Sequence, residues 1–267
     1  MQDRLRTARR AVWAGGASIE ASANSGVVRS KSSSIDLVTD VDVLSGVSAV
    51  LSILADEPDA RFVIEEEEVF DLTPAPRGSL SDEEVWLVDP LDGTTSFVHG
   101  YPCYSVTVSL LKRGTPVAGA TYNVPTRELV SAARGLGAFV GDEPLLMAGA
   151  QTLSTALLIT GFPYDRGALL DRQIEILKRF LRAPVHDIRR DGSAAIDCCH
   201  VAAGKADGFW EFGLKPWDMA AGVVILSEAG AKVTGIEGEA WTPASTGILA
   251  ASPALHAQML DVITSTI

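Results

Sequence analysis

A chain of 267 residues, 47% hydrophobic and 21% charged, has enough apolar material for a sizeable core in one large domain or two joined ones. Its 22 Lys and Arg against 34 Asp and Glu give a formal charge of −12, which disfavours a nucleic-acid partner, because proteins grip phosphate backbones with Lys and Arg. Solubility accounts for most of that acidity, though it also suits a chain that concentrates carboxylates at a metal site. There is no apolar run of the roughly 18 residues that a membrane span needs.

The cysteines are Cys103, Cys198 and Cys199. An odd count, two of them adjacent, with no C-x-x-C, argues against a disulfide framework or a zinc site; reduced, buried thiols and a cytoplasmic location are expected. Arg4, Arg6, Arg9 and Arg10 look like the charged start of a signal peptide. The small, mixed stretch 11–26 that follows is not the apolar segment such a signal requires, so no targeting role is expected.

In chain order, Leu5, Val12 and Ile19 predict a helix over 3–24, stopped by Gly26. Lys31–Ser34 form a polar loop. Asp36-Leu-Val-Thr-Asp-Val-Asp42 leads into a helix over 43–55, and Phe62–Ile64 is a short strand running into Glu65–Glu68. Residues 71–82 carry Pro74, Pro76, Gly78 and Ser81 and read as a surface loop joining two hairpin arms; a strand over 85–88 follows. Val106, Val108 and Leu110 alternate with Thr107 and Ser109, a strand period, and further strands near 117–122, 128–133 and 138–140 suggest an antiparallel sheet.

Residues 144–152 pass to a second half. There the pattern predicts a strand at 157–159 and a helix over 166–182 with Leu170, Ile174, Leu177 and Leu181 on one face. A helix opened by Gly192 runs to about 203, and a strand covers 207–211. A helix opened by Asp218 is closed by Gly230; strands near 231–234 and 247–251 and a helix over 253–264 complete the chain. No internal repeat or low-complexity tract is visible. The expectation is one continuous domain, 1–267, with subdomains of about 1–145 and 146–267.

The chemistry concentrates in Trp86-Leu-Val-Asp-Pro-Leu-Asp-Gly-Thr-Thr-Ser-Phe97. An apolar strand delivers Asp89 and Asp92 around a sharp turn, so both carboxylates and the Leu91 carbonyl can meet one point; oxygen ligands suit Mg²⁺. A helix start at Gly93-Thr94 suits an anion. The competing reading, a turn whose Asp residues cap the next helix, stands at even odds on this motif alone. Glu65–Glu68 end another strand, and four consecutive acids are usually a solvated face, yet the first emerges from apolar Phe62–Ile64. Asp218, after Trp217 and before Met-Ala-Ala-Gly222, reads equally as a helix cap, with the small residues serving close helix packing. The four histidines, His99, His186, His200 and His256, are scattered, and none is assigned as ligand or base.

Asp89-Pro-Leu-Asp-Gly-Thr-Thr-Ser-Phe97 and Trp217-Asp218-Met-Ala-Ala-Gly222 resemble the two signature motifs of the inositol monophosphatase family. Glu65-Glu66 resembles its upstream acidic pair, Asp36-Leu-Val-Thr39 with Asp42 its early motif, and Gly192-Ser-Ala-Ala195 with Glu211 its substrate-side elements. The likeness runs from about residue 3 to 264 and, as an ordered combination, is highly specific. It implies an α+β fold, a layered αβαβα sandwich of the sugar-phosphatase type. It also implies a Mg²⁺-dependent phosphomonoesterase acting on a small phosphorylated sugar alcohol, sensitive to Li⁺ and homodimeric.

By the same resemblance, Glu65, Asp89 and the Leu91 carbonyl hold one Mg²⁺; Asp89, Asp92 and Asp218 hold a second; a third, weaker ion lies near Glu65. Gly93 and Thr94 receive the phosphate through their N–H groups, and Thr94 paired with Asp42 activates water together with Glu65. Asp92, Gly192, Ser193, Ala194 and Glu211 line the sugar-alcohol side. Glu211 and the His99-Gly-Tyr-Pro102 run favour myo-inositol 1-phosphate, with histidinol phosphate, fructose 1,6-bisphosphate and, least, 3′-phosphoadenosine phosphate as alternatives, and a regulatory protein-binding scaffold as a reading of another class. Lys31 stands in the family's mobile loop. Ser96 in place of a common Asn, the extra acids Glu67 and Glu68, and the length of the 71–82 loop depart from the family pattern and bear on substrate preference and loop behaviour.

Overall fold

Small and apolar residues build the first layer. In the computed structural model, which describes residues 1–22, 28–30 and 37–265, helix α1 (Gln2–Ser22) buries Leu5, Val12 and Ile19. Gly26, Lys31–Ser34 and Asp36 lie outside the described residues. The arginines of α1 face outward into ion pairs: Arg4 with Glu57 and Glu84, Arg9 with Asp142, Arg10 with Asp56. A two-stranded ribbon, β1 (Val28–Ser30) and β2 (Leu37–Thr39), leads into α2 (Asp40–Asp56), which packs beside α1. This helix starts three residues earlier than the sequence predicts. The reason is a reciprocal cap: the Thr39 hydroxyl accepts from the Val41 N–H at 3.2 Å, while Asp42 accepts from the Thr39 N–H at 2.8 Å.

Strand β3 (Phe62–Ile64), short helix α3 (Glu68–Leu72), strand β4 (Glu84–Asp92) and short helix α4 (Thr94–Val98) follow. Strands β5 (Ser105–Lys112), β6 (Thr115–Asn123), β7 (Glu128–Ala133), β8 (Gly137–Val140) and β9 (Glu143–Leu145) then complete a seven-stranded sheet in the order β3-β4-β5-β6-β7-β8-β9. From β4 onward every pair is antiparallel. The expected hairpin around 71–82 is overturned: β3 and β4 run parallel, with Phe62 opposite Trp86 and Ile64 opposite Val88. Parallel neighbours need a crossover, which explains the length of that connection and the helix inside it. Its consequence is functional, because both strands now end at the same edge of the sheet.

The second half contains β10 (Leu157–Thr160), α5 (Ala168–Arg182), β11 (Asp187–Arg189), α6 (Ala194–Ala202), β12 (Gly208–Phe212), α7 (Pro216–Ala229), β13 (Lys232–Thr234), β14 (Gly247–Ala251) and α8 (Pro253–Thr264). Its five strands order as β11-β10-β12-β14-β13. Helices α1 and α2 cover one face of the first sheet, α6 and α7 fill the space between the sheets, and α5 and α8 close the far side. This is the αβαβα sandwich. With helices on both faces of the first sheet, β5 is buried from Ser105 through Leu111, so even its alternate polar residues Thr107 and Ser109 are inside.

Two further expectations change. The leucine stripe predicted for α5 is not its inner face: Leu181 is exposed, and Gln173, Ile176 and Phe180 are buried. Gln173 earns its place by hydrogen bonds, donating to Thr160 Oγ1 at 2.6 Å and Gly161 O at 2.8 Å and accepting from Trp210 Nε1 at 3.2 Å. Gly192 does not open α6; it takes φ 108, and Ser193 is the cap, its hydroxyl accepting from the Ile196 N–H at 3.3 Å.

The small residues of α7 do serve close packing. A Cβ at Gly222 would stand 2.5 Å from Cys198 Sγ on α6. Gly222→Ala gains about 1 kcal/mol of helix propensity. Overpacking costs about 1–3 kcal/mol and dominates. Urea unfolding is expected to show a net loss of up to about 2 kcal/mol.

Candidate active site

The end of β4 sets the geometry. Asp89 pairs with Thr107 and Asp92 with Ser105, so three steps on β4 match two on β5. This is a bulge and not the sharp turn predicted. In a regular strand residues i and i+3 face opposite sides; one extra residue brings Asp89 and Asp92 back to the same side. The Ser45 hydroxyl donates to Pro90 O at 2.7 Å and fastens the bulge to α2. Asp89 also accepts from the Leu91 N–H at 3.1 Å, so the turn-stabilising role weighed for it is present as well.

Parallel pairing brings Glu65 alongside: its N–H donates to Val88 O at 3.1 Å, one residue before Asp89. From the other half, α7 presents Asp218 at its third position, where the carboxylate accepts from the Lys215 N–H at 2.8 Å. The helix begins at Pro216, two residues before the predicted start. Four carboxylates, from the residue after β3, from β4 and from α7, thus face one cavity of about 380 Å³.

Their electrostatics are unfavourable without a counter-charge. Asp89 is 2% exposed. Burial first, then the charges of Glu65, Asp92 and Asp218, push its carboxyl well above the usual range. Burial likewise raises Asp218, with Glu65 and Asp92 adding to it. Asp92 is pushed up to about 6 by burial, restrained by the Ser193 hydroxyl and the Ala195 N–H, which donate to it at 2.6 and 2.8 Å. Among the described residues no Lys or Arg forms an ion pair with Asp89, Asp92 or Asp218. An all-oxygen donor set with crowded negative charge fits a hard divalent cation such as Mg²⁺.

Beside these acids, the Thr94 hydroxyl lies 2.9 Å from Asp42 Oδ1 and 3.0 Å from Leu91 O. One proton serves two acceptors, so the oxygen keeps lone pairs for a third partner. Asp42 is held by its capping bonds to Thr39. Gly93 takes φ 93, and a Cβ there would meet Cys103 O at 2.8 Å, so only glycine passes between β4 and α4.

The opposite wall comes from the second half. Gly192, Ala194 and Glu211 line the cavity; Ser193, 1% exposed, does not, and acts instead on Asp92. Burial and the charge of Asp92 push the Glu211 carboxyl up to about 8, against the pull of Arg190. Sequence reasoning missed Gly161, Phe162, Tyr164, Arg190 and Lys215, which share this wall. Gly161 carried a readable signal, since glycine directly after a strand often marks a close approach: a Cβ there would sit 2.1 Å from Glu211 Oε1. His99 is exposed beside α4 and takes no part in the cavity.

The model of the inositol monophosphatase family matches residues 1–266. The chain belongs to the inositol monophosphatase family. It is 39% identical over 248 residues to an inositol-1-monophosphatase of Mycobacterium bovis, covering 89% of this chain and 81% of that one. It is 38% identical over 253 residues to a putative Nus factor SuhB of Neisseria meningitidis serogroup B, covering 94% of each. Among solved structures, the extragenic suppressor protein SuhB of Bartonella henselae superposes with TM-score 0.89 at 31% identity over 99% of this chain and 100% of that one. The inositol monophosphatase of Anabaena gives 0.84 at 33% over 98% and 95%. Members of the inositol monophosphatase family act on small phosphorylated substrates and depend on metal, generally Mg²⁺. Among the described residues, no helix is long and apolar enough to cross a membrane.

Proposed function

We propose that this inositol monophosphatase family member is a Mg²⁺-dependent phosphomonoesterase that hydrolyses myo-inositol 1-phosphate or a near relative. The observation that carries the reading is the convergence of Glu65, Asp89, Asp92 and Asp218 on one cavity, with Glu211 on its far wall. Glu65, Asp89 and the Leu91 carbonyl hold one ion, Asp89, Asp92 and Asp218 a second, and Glu65 helps hold a weaker third. When bound, Mg²⁺ supplies neutralisation of the phosphate dianion, a lowered pKa for a bound water and stabilisation of the leaving alkoxide.

The chain's own groups do the rest. Gly93 and Thr94 present backbone N–H groups to the phosphate. The Thr94 hydroxyl, aligned by Asp42, takes up and passes on a proton of the attacking water, with Glu65 as the partner base. Asp92, Gly192, Ala194 and Glu211 receive the alcohol, and Ser193 fixes Asp92 for that task. The two subdomains of a single domain, a cytoplasmic location, Li⁺ inhibition and a homodimer belong to the same proposal.

A phosphate-release panel with kcat/KM for inositol 1-phosphate, histidinol phosphate, fructose 1,6-bisphosphate and 3′-phosphoadenosine phosphate tests it. Inositol 1-phosphate is expected to lead. A dominant histidinol phosphate signal would refute the inositol preference and leave the metal chemistry standing. The similarity to proteins named Nus factor favours a second reading, a regulatory protein that works through a partner. Partner binding with no turnover of any monoester at millimolar Mg²⁺ would establish that reading in place of the first.

A further inference from the structure

Behind the alcohol side of the cavity lies a second group of ionisable side chains. The cavity lining passes from Arg190 to Gly192 and leaves out Asp191, Asp197 and His200. One ligand atom from each of these three lies within 4.8 Å of the others. Asp197 and His200 are i and i+3 on α6, so they share one face of the helix. Asp191 reaches them from the loop before it. The same i, i+3 pairing of a carboxylate with a histidine serves metal ions inside helical bundles.

Two observations mark the group as a site and not a chance cluster. Asp197 is 1% exposed, and its Oδ1 is buried without a hydrogen-bond partner. A buried carboxylate oxygen left unpaired is costly unless the carboxyl keeps its proton or a cation or donor meets it. His200 Nδ1 stands 3.9 Å from Asp191 Oδ2, too far for a hydrogen bond. It is close to the separation of two ligands on one ion, roughly 3.4 Å when metal–ligand bonds are about 2.0–2.1 Å. The side chains of Asp191 and His200 are 28% and 25% exposed, which leaves a path from solvent. Burial keeps the imidazole neutral, the form that binds metal.

We propose that Asp191, Asp197 and His200 form a second metal site, separate from the carboxylate cluster of the cavity, that takes a divalent transition ion of the Zn²⁺ class. One nitrogen and two carboxylate oxygens select a borderline ion over Mg²⁺, which prefers all-oxygen sites and keeps its waters. Water completes the coordination. The ion ties the loop holding Asp191 to α6. Between those anchors lie Gly192, which lines the cavity, and Ser193, which donates to Asp92 at 2.6 Å, so the site braces the alcohol-binding wall. His200 thus gains a role that the sequence reading gave to no histidine.

The test is equilibrium dialysis with Zn²⁺ at millimolar Mg²⁺ on the full chain, with Co²⁺ absorption as a coordination readout. Wild type is expected to retain one Zn²⁺ per chain and to show visible Co²⁺ bands. Asp89→Asn, which alters the other cluster, is expected to keep both. His200→Gln and Asp197→Asn are expected to lose at least about tenfold in Zn²⁺ affinity and to lose the bands. Circular dichroism identifies any variant that fails to fold, and two variants on different ligands keep the test decisive. No Zn²⁺ retained by wild type, unchanged binding in folded His200→Gln, or loss of binding in Asp89→Asn would each overturn the site.

Discussion

Asp89→Asn is expected to leave a folded protein whose turnover, measured by phosphate release at saturating Mg²⁺, falls at least about 100-fold. The size of the effect follows from its place. Asp89 is the one carboxylate assigned to both principal ions, and it sits on the bulge that aligns Asp92. An amide keeps the shape and the bond from the Leu91 N–H but offers no charge to neutralise two cations at once. Stability moves the other way. In metal-free protein, Asp89 is buried against Glu65, Asp92 and Asp218, all of which oppose its ionisation. Removing that charge is expected to raise Tm in EDTA at pH 8 while activity collapses. Loss of activity through misfolding would lower both readings. Wild-type turnover in the variant would refute the proposed metal arrangement.

The strand end that holds Asp89 shows how far a sequence can be read. Residue types at 89–94 offered a cluster of oxygen donors but read equally well as a helix-capping turn, and only Glu65 and Asp218 tipped the reading toward metal. Whether they made a turn or a bulge depended on β5, the strand opposite, whose register lies 13 or more residues away. The parallel pairing of β3 and β4 was hidden for the same reason: local pattern marks a strand but not its neighbour's direction. That pairing is what sets Glu65 beside Asp89. Similarly, Leu170, Ile174 and Leu181 satisfied a helical period, yet the polar network of Gln173 with Thr160, Gly161 and Trp210 decided which face turns inward. Arg190 and Lys215 went unread because exposed cations have no pattern until a cavity gives them one.

Glu211 carries the expected pH dependence. Its ordinary value is 4.5, and burial with the nearby charge of Asp92 raises it to about 8 in the folded chain. Between those values the folded state holds a proton that the unfolded state has released. Stability therefore falls as pH rises through that window and levels off above it. Glu211→Gln needs no such proton. Metal-free wild type and variant should match near pH 5 and diverge by pH 9, the variant being more stable by a few kcal/mol, about the size such a shift represents. At roughly 2–4 °C per kcal/mol, paired melting curves in EDTA resolve the difference easily. Parallel curves from pH 5 to 9 would mean that Glu211 ionises freely. The same proton bears on substrate choice. A protonated Glu211 both donates to and accepts from a hydroxyl, whereas the carboxylate only accepts. The carboxyl packs against Gly161, where a Cβ would sit 2.1 Å from Glu211 Oε1, and lines the cavity, so its change of state is felt by an alcohol bound there. KM for the preferred monoester is then expected to change with pH in wild type as Glu211 gives up its proton and to stay level in Glu211→Gln.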